Sequence, residues 1–173
     1  MVSGYLKSTD CGAKRAGIAI LYVAEVGDVT SFTKNTSGED WTAVTMETSA
    51  VFKKYEFKRE EAELTMNLTV ENGSSRAENS IEFNLEKLSQ SSRDAVQELA
   101  DKSVCGLIAI AVTNQGDKWV LGYDNEFQAT YYLELQSGNG TSGRAMTDAQ
   151  GFTATLGNST VELPRTFTGT VPV

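Results

Sequence analysis

The sequence predicts a mainly β protein, an antiparallel β-sandwich or barrel that carries a long β-hairpin arm and one flanking α-helix. The first observation behind this prediction is alternation, since residues 63–71 are apolar at every even position and residues 77–86 are largely apolar at odd positions. Such alternation places one set of side chains on each face of a strand. The second is the Asn72-Gly73 turn signal between the two runs, which predicts a hairpin arm over residues 51–86. The third is that only one stretch of the chain has good helical spacing.

Four segments precede the hairpin. Residues 1–12 are polar and contain Gly and Ser, which predicts a flexible N-terminal arm. Residues 16–24 form an apolar run rich in β-branched and aromatic side chains, which favours a strand. Residues 29–34 and 41–46 predict two further strands that pair across a polar loop.

The apolar phase changes between the segment before the hairpin and the hairpin itself. Tyr55 and Phe57 are apolar at odd positions, whereas the phase is even from Leu64 onwards. A β-bulge within residues 58–62 would produce this change, and so would a bend where the chain leaves one sheet for another. In both cases the hairpin is predicted to point in a different direction from the segment that precedes it.

The helix candidate follows the hairpin directly. Ser89 or Ser91 can cap its N-terminus, because a serine hydroxyl accepts a hydrogen bond from a free backbone N–H in the first turn. A narrow apolar stripe follows at residues 95, 96, 99 and 100. A stripe of this width predicts a helix that lies on a sheet.

Residues 104–112 form a continuous apolar run, which predicts a central strand covered on both faces. A turn at residues 114–117 and a strand at residues 118–123 complete a second predicted hairpin. Cys105 lies inside the apolar run and is predicted to be a small core residue.

The C-terminal part predicts three more strands. Residues 127–136 and 152–156 alternate, and residues 137–143 between them predict a Gly/Ser loop. The loop matches a GxGxxG motif, but no helical pattern follows it, so a nucleotide-binding function is disfavoured. Residues 161–167 alternate towards the C-terminus, and Pro164 marks an edge or a strand end.

Length and charge limit the possible partners. A chain of 173 residues favours a single domain over residues 1–173. A formal net charge of −8 argues against tight binding to nucleic acid and to an anionic membrane. The N-terminus has no apolar core of signal-peptide length, so we expect folding in a cytoplasm. A bond between Cys11 and Cys105 is therefore not expected, although the sequence leaves it open.

The sequence has no histidine, which removes histidine-based catalytic triads and the common zinc sites. We therefore predict no enzyme, and no catalytic, cofactor-binding or metal-ligating residues. Trp41, Trp119, Tyr131 and Tyr132 could form a sugar-stacking face, but aromatics in a β core or a subunit interface explain them better. A secreted β-sandwich that binds carbohydrate is the alternative from another functional class.

In the order of its elements, the chain resembles the tail tube proteins of tailed bacteriophages, and is most similar to virion proteins of phages that infect Bacteroidetes. The segments that carry the resemblance are Asp10-Cys11-Gly12, Gly17-Ile18 with Tyr22, residues 52–57, residues 84–101, Trp119-Val120-Leu121-Gly122, and the glycine-rich loop that leads to residues 148–152.

The resemblance implies a structural virion protein located in the tail and assembled in the cytoplasm of the bacterial host. It implies a homo-oligomeric ring, usually a hexamer, that stacks into a tube through which DNA passes without specific binding. Other tail or neck proteins of the phage would be its partners, with no membrane and no cofactor. Neck, ring and tail-completion proteins share the same fold family, and they stay open as alternatives.

Two sets of residues in the hairpin are candidates for this function. The candidates for lining the lumen are acidic, because a wall that repels phosphate lets DNA pass: Glu63, Glu71, Glu78, Glu82 and Glu86. The candidates for contact between subunits are apolar: Met66, Leu68, Val70 and Ile81.

Overall fold

A computed structural model describes residues 16–148 and 150–173. This part of the chain contains eleven β-strands, one α-helix and two short 3-10 turns. The helix, α1, spans Gln90–Ser103, and the 3-10 turns span Val26–Asp28 and Ala129–Tyr131. The strands are β1 (Ile18–Glu25), β2 (Val29–Lys34), β3 (Trp41–Met46), β4 (Lys53–Glu56), β5 (Ala62–Glu71), β6 (Ser74–Leu85), β7 (Leu107–Thr113), β8 (Lys118–Leu121), β9 (Glu134–Thr141), β10 (Gly151–Thr160) and β11 (Arg165–Thr166).

A five-stranded antiparallel sheet in the order β11-β8-β7-β1-β4 forms the centre of the molecule. The middle strand, β7, has Leu107 and Ala109 on one face and Ile108 and Ile110 on the other, and all four side chains are buried. The prediction of a central strand covered on both faces is therefore confirmed.

A four-stranded antiparallel sheet in the order β5-β6-β10-β9 covers one face of the central sheet. Leu21 and Leu121 of the central sheet share a hydrophobic core with Ile81, Phe83 and Leu156 of the four-stranded sheet. The predicted mainly β fold with antiparallel sheets is thus confirmed, and the packing of the two sheets is consistent with a β-sandwich. The described strands do not close into a barrel.

The hairpin of β2 and β3 covers the other face of the central sheet and makes a third layer. Ile108 and Ile110 meet Phe32, Trp41 and Phe167 in a second hydrophobic core. Trp41 is fully enclosed there, so it takes no part in an exposed aromatic face.

The helix lies on the four-stranded sheet, as its narrow stripe predicts. Ser89 caps α1, since its hydroxyl accepts a hydrogen bond from the backbone N–H of Ser92. Val96 and Leu99 are the buried helix residues, and α1 contacts β9 and β10. Gly138 of β9 permits this approach, because a Cβ there would stand 3.1 Å from the Val96 side chain.

The run at residues 104–112 is not strand throughout. The helix continues to Ser103, and the backbone N–H groups of Cys105 and Gly106 then donate back to the last helical turn. Gly106 has a φ of 91°, a conformation that glycine adopts at low cost. Cys105 is exposed, so its predicted place in the core was wrong, and Cys11 lies outside the described residues.

The predicted strand at residues 127–136 and the predicted loop at residues 137–143 were both wrong in extent. Asp124 accepts hydrogen bonds from the backbone N–H groups of Glu126 and Phe127, which turns the chain into the 3-10 turn before Tyr132. Strand β9 begins at Glu134 and runs through most of the glycine-rich segment.

The apolar phase changes because the chain passes from one sheet to another, which is one of the two predicted explanations. Strand β4 pairs with β1 in the central sheet, and β5 pairs with β6 in the four-stranded sheet. Glu60, with a φ of 67°, lies in the connection, and the Glu61 carboxylate accepts a hydrogen bond from the backbone N–H of Lys58 at 2.7 Å.

The predicted hairpin of β5 and β6 is confirmed, with Asn72 and Gly73 both at positive φ as a tight hairpin turn requires. It is not a free arm, however, because β10 pairs with β6 from Ala77 to Leu85. Only the tip, residues 69–76, extends past this pairing. The C-terminal strand is shorter than predicted, since β11 covers only Arg165 and Thr166 next to Pro164 at the edge of the central sheet.

Candidate functional site

The outer face of the four-stranded sheet carries four of the five acidic residues that the sequence singled out. The register of β5 and β6 sets Glu63 opposite Glu82, and alternation places Glu71 and Glu78 on the same side. Phe83, the neighbour of Glu82, points into the core. The four glutamates therefore share the surface turned away from the core, and their place in a lumen stays a prediction.

This outer face as a whole is polar and net acidic. Its four strands contain five glutamates, two in β5, two in β6 and one in β9. Arg76 is the single basic residue in these strands. An Arg76 guanidinium nitrogen lies 2.8 Å from a Glu78 carboxylate oxygen, so this positive charge is already paired. The face as a whole repels phosphate more than it attracts it.

Glu63 and Glu82 form a pair of like charges on neighbouring strands. They are direct partners in the register, and neither makes an ion pair with another residue in the part of the chain that the structure describes. Like charges directly opposite each other destabilise a sheet. Both carboxylates lie on an exposed face, where solvent screening reduces the repulsion between them.

Glu86 differs from the other four acidic candidates. It follows the end of β6, and its carboxylate pairs with the Lys58 ammonium at the base of the hairpin. This ion pair, with a hydrogen bond from Glu61, holds the pKa of Glu86 below its usual value. The pKa of Glu61 is raised, chiefly by desolvation. Glu86 therefore belongs to a structural cluster where β4 passes to β5.

The apolar hairpin candidates divide by their position along the strands. Ile81 is fully buried in the core, so in this conformation it offers no contact surface to a neighbouring subunit. Met66 is half-buried. Leu68 and Val70 point to the core side of the sheet but lie beyond the core, with exposures of 50% and 67%. An exposed apolar pair on an edge strand is a typical contact surface.

Both outer strands of this sheet have an open edge. Strand β5 pairs only with β6, and β9 pairs only with β10, within residues 16–148 and 150–173. An open edge presents unpaired backbone N–H and C=O groups that can pair with another chain. This sheet can therefore be extended at both sides.

A polar cleft of about 610 Å³ opens beside the outer face. Tyr131 and Tyr132 contribute its aromatic lining. Its polar lining comes mainly from the four strands, including Asn67, Arg76, Glu78, Asn79, Gln136 and Asn158. Of the four aromatic residues that the sequence offered as a sugar-stacking face, the structure brings these two tyrosines together here. Trp119 instead packs against the sandwich core.

Asp124 is a structurally important residue that the sequence reasoning passed over. Its buried carboxylate accepts hydrogen bonds from two backbone N–H groups and from the Thr160 hydroxyl, which fixes the turn that carries Tyr131. The sequence did contain a signal for this turn, because an Asp followed closely by polar residues is typical of turns in which the Asp side chain accepts hydrogen bonds from the backbone. Asn79 and Asn158 gave no such signal, because their contact joins distant parts of the chain.

Among the described residues, no group of three or more His, Cys, Asp or Glu side chains is placed to hold a metal ion. No helix in the same part of the chain is long and apolar enough to cross a membrane. Comparisons with protein-family models, with curated proteins and with solved structures find no match for this chain.

Proposed function

We propose that this protein is a structural virion protein of a tailed bacteriophage, whose copies join into rings that stack into a tail tube, a passive conduit for DNA. The observation that carries the proposal is the four-stranded sheet. Among the residues that the structure describes, it has two open edges, one face packed on the core, and an outer face that is polar and acidic. Joining copies edge to edge would give a continuous sheet with this face on one side.

The direction of the strands supports such a ring. All three pairings in the sheet are antiparallel, so β5 and β9 run in opposite directions. Rotation of one copy about a ring axis would bring its β9 beside the β5 of the next copy in antiparallel orientation. The hydrogen-bonded ladder would then continue from copy to copy, and neither edge of the four-stranded sheet would be left open.

The width of the sheet supports a ring of the expected size. Strands lie about 4.8 Å apart, so four of them contribute about 19 Å of wall per copy. Six copies would close a barrel with a backbone diameter of about 37 Å, and more if the strands tilt. A barrel of this width accommodates duplex DNA.

The test is the oligomeric state of the full chain, measured by size-exclusion chromatography with light scattering and by negative-stain electron microscopy. We expect rings or tubes with a central opening. Rings that do not stack would favour a neck, ring or tail-completion protein of the same fold. A monomer at every concentration tested would contradict the proposal.

Reversing charges on the outer face should make the assembled protein bind DNA. We expect Glu63→Lys with Glu82→Lys to assemble like the wild type but to co-sediment with duplex DNA, since each added Lys–phosphate contact releases counterions. The binding should weaken steeply when the salt concentration is raised.

The matched control is Glu98→Lys with Glu126→Lys, which makes the same change in net charge on α1 and on the turn after Asp124. We expect the control assemblies not to retain DNA inside the tube. Equal retention of DNA by the two variants would contradict a lumen lined by the Glu63–Glu82 face.

A further inference from the structure

The Asn72-Gly73 turn that closes the β5–β6 hairpin holds two groups that can react with each other. We propose that this turn is a site of spontaneous deamidation, which converts the Asn72 side-chain amide into a carboxylate and leaves an isoaspartyl linkage in part of the molecules. The reaction uses groups of a single copy of the chain, so it does not depend on the conduit function. Its effect on assembly, in contrast, rests on the proposed function.

The reaction replaces the side-chain nitrogen of Asn72 with an oxygen from water. The backbone nitrogen of Gly73 attacks Cγ of Asn72 with its electron pair, and the new N–C bond closes a succinimide ring. The side-chain nitrogen leaves as ammonia and takes the proton of the Gly73 N–H with it. Water then opens the ring, and attack at Cγ gives aspartate, whereas attack at the main-chain carbonyl carbon gives isoaspartate. Nothing is oxidised or reduced, and a neutral amide becomes an ionised carboxylate.

The first argument is the accessibility of the attacking nitrogen. Gly73 has no side chain to shield its backbone nitrogen, and a Cβ built there would have no atom within 4 Å. In residues 16–148 and 150–173, the Gly73 N–H donates to no backbone carbonyl outside the strand ladders. Both turn residues are exposed, so water also reaches the ring that the second step opens.

The second argument is the freedom of the turn to change its conformation. Ring closure requires the Asn72 backbone to rotate away from its φ of 51°. The pair that closes the hairpin is Glu71 with Ser74, and β10 pairs with β6 only from Ala77 onwards. Local opening at an exposed chain reversal costs little free energy. The turn can therefore rearrange without opening the rest of the sheet.

The third argument is a comparison with the second Asn-Gly step of the chain, Asn139-Gly140. Asn139 pairs with Thr153 and Gly140 with Phe152 in the β9–β10 ladder. The Phe152 ring also lies against Gly140, where a Cβ would come within 2.7 Å of it. Ring closure there must first break strand pairing, and an opening that costs about 1.4 kcal/mol already slows a reaction about tenfold. The structure thus separates two steps that are identical in sequence.

The product does not fit the turn in which it forms. A two-residue turn with both residues at positive φ sets the register of β5 and β6. Isoaspartate adds a further carbon atom to the backbone of this turn, and the new carboxylate lies next to Glu71 in the chain. Both changes loosen the hairpin end beside Leu68 and Val70, the proposed contact between subunits. Deamidation would therefore limit the time for which a free subunit can assemble.

Mass spectrometry of the full chain, incubated in heavy-oxygen water at mildly alkaline pH, tests the proposal. Conversion during the incubation incorporates a heavy oxygen, whereas conversion during the later digestion does not. We expect the peptide that contains Asn72 to convert at least about tenfold faster than the peptide that contains Asn139. An isoaspartyl methyltransferase should modify the converted Asn72 peptide, and circular dichroism verifies that the protein stays folded.

The same substitution at each Asn-Gly step gives a variant and its matched control. Asn72→Gly removes the amide but keeps the turn, since a Gly-Gly pair also adopts positive φ at both residues. We expect isoaspartate formation in the whole protein to fall about tenfold in this variant. Asn139→Gly should keep a rate close to that of the wild type. Conversion of Asn139 at an equal or higher rate than Asn72 would overturn the proposal, and so would isoaspartate formation that Asn72→Gly leaves unchanged.

Size-exclusion chromatography of the incubated samples tests the effect on assembly. Wild-type protein incubated until Asn72 has converted should form fewer rings than fresh protein. Asn72→Gly incubated for the same time should assemble as it does when fresh. Equal assembly of fresh and converted wild-type protein would overturn the effect on assembly. Absence of rings from every sample, fresh ones included, would contradict the conduit function, and the mass spectrometric result would still decide the deamidation site.

Discussion

Leu107→Ala and Ile108→Ala should each lower the free energy of unfolding by about 2–5 kcal/mol, because each leaves a cavity in a fully buried site. The two side chains are neighbours in β7 but belong to different cores. Leu107 packs between the two large sheets, and Ile108 packs under the β2–β3 hairpin. A loss of this size is a large fraction of the about 5–15 kcal/mol by which typical domains are stable.

Val104→Ala is the matched control for these substitutions. Val104 belongs to the same apolar run of the sequence but is 80% exposed, so its truncation should change stability by no more than about 0.5 kcal/mol. Urea unfolding followed by fluorescence, with the m-value fitted for each variant, measures all three. A loss below about 1 kcal/mol for Leu107→Ala or Ile108→Ala would mean that the corresponding layer is not packed as described.

Leu68→Lys with Val70→Lys should abolish assembly and leave a folded monomer. Val70 lies in the hairpin tip and Leu68 lies next to it in edge strand β5. Both side chains are half or more exposed, so the fold loses little by their replacement. Charged residues that point inward on an edge strand oppose pairing with another sheet. We expect a single monomer peak in size-exclusion chromatography and a melting curve close to that of the wild type.

Val104→Lys is the control for this pair, since it places a charge on an even more exposed apolar position outside the hairpin. It should assemble like the wild type. Rings formed by the Leu68→Lys, Val70→Lys variant would show that the hairpin tip is not part of the interface. The same variant, if monomeric, is the suitable background for the urea experiment, because assembly would otherwise contribute to the measured stability.

Local patterns predicted the elements whose partners are close in the sequence. Strands β2 and β3 occur at the predicted bounds, Val29–Lys34 and Trp41–Met46, because alternation and a short loop determine both. The Asn72-Gly73 turn fixes the register of β5 and β6, and this register places Glu63 and Glu82 on one face. A period of two residues is enough to predict that shared face.

Patterns failed where side chains act on the backbone or where distant segments meet. The turn before Tyr132 depends on the Asp124 carboxylate, and it replaces the first part of the strand that alternation had predicted. Ile81 was predicted to contact a neighbouring subunit but is buried in the core, and the strand that pairs with β6 at this position, β10, comes much later in the chain. The contact between Asn79 and Asn158 spans 79 residues, a distance at which no local rule applies.

The pairing of β1 with β7 also determines the order in which the protein is completed on the ribosome. Strand β1 ends at Glu25, whereas β7, its central partner, begins only at Leu107. At a synthesis rate of about 5–20 residues per second, the synthesis of β1 is completed about 4–16 s before that of β7 begins. During that interval β4 can protect one edge of β1, while its other edge and much of its apolar surface stay available to other chains. The nascent protein is therefore most exposed to misassembly before Leu107–Thr113 emerges, and chaperone binding in this period would favour a high yield of folded subunits.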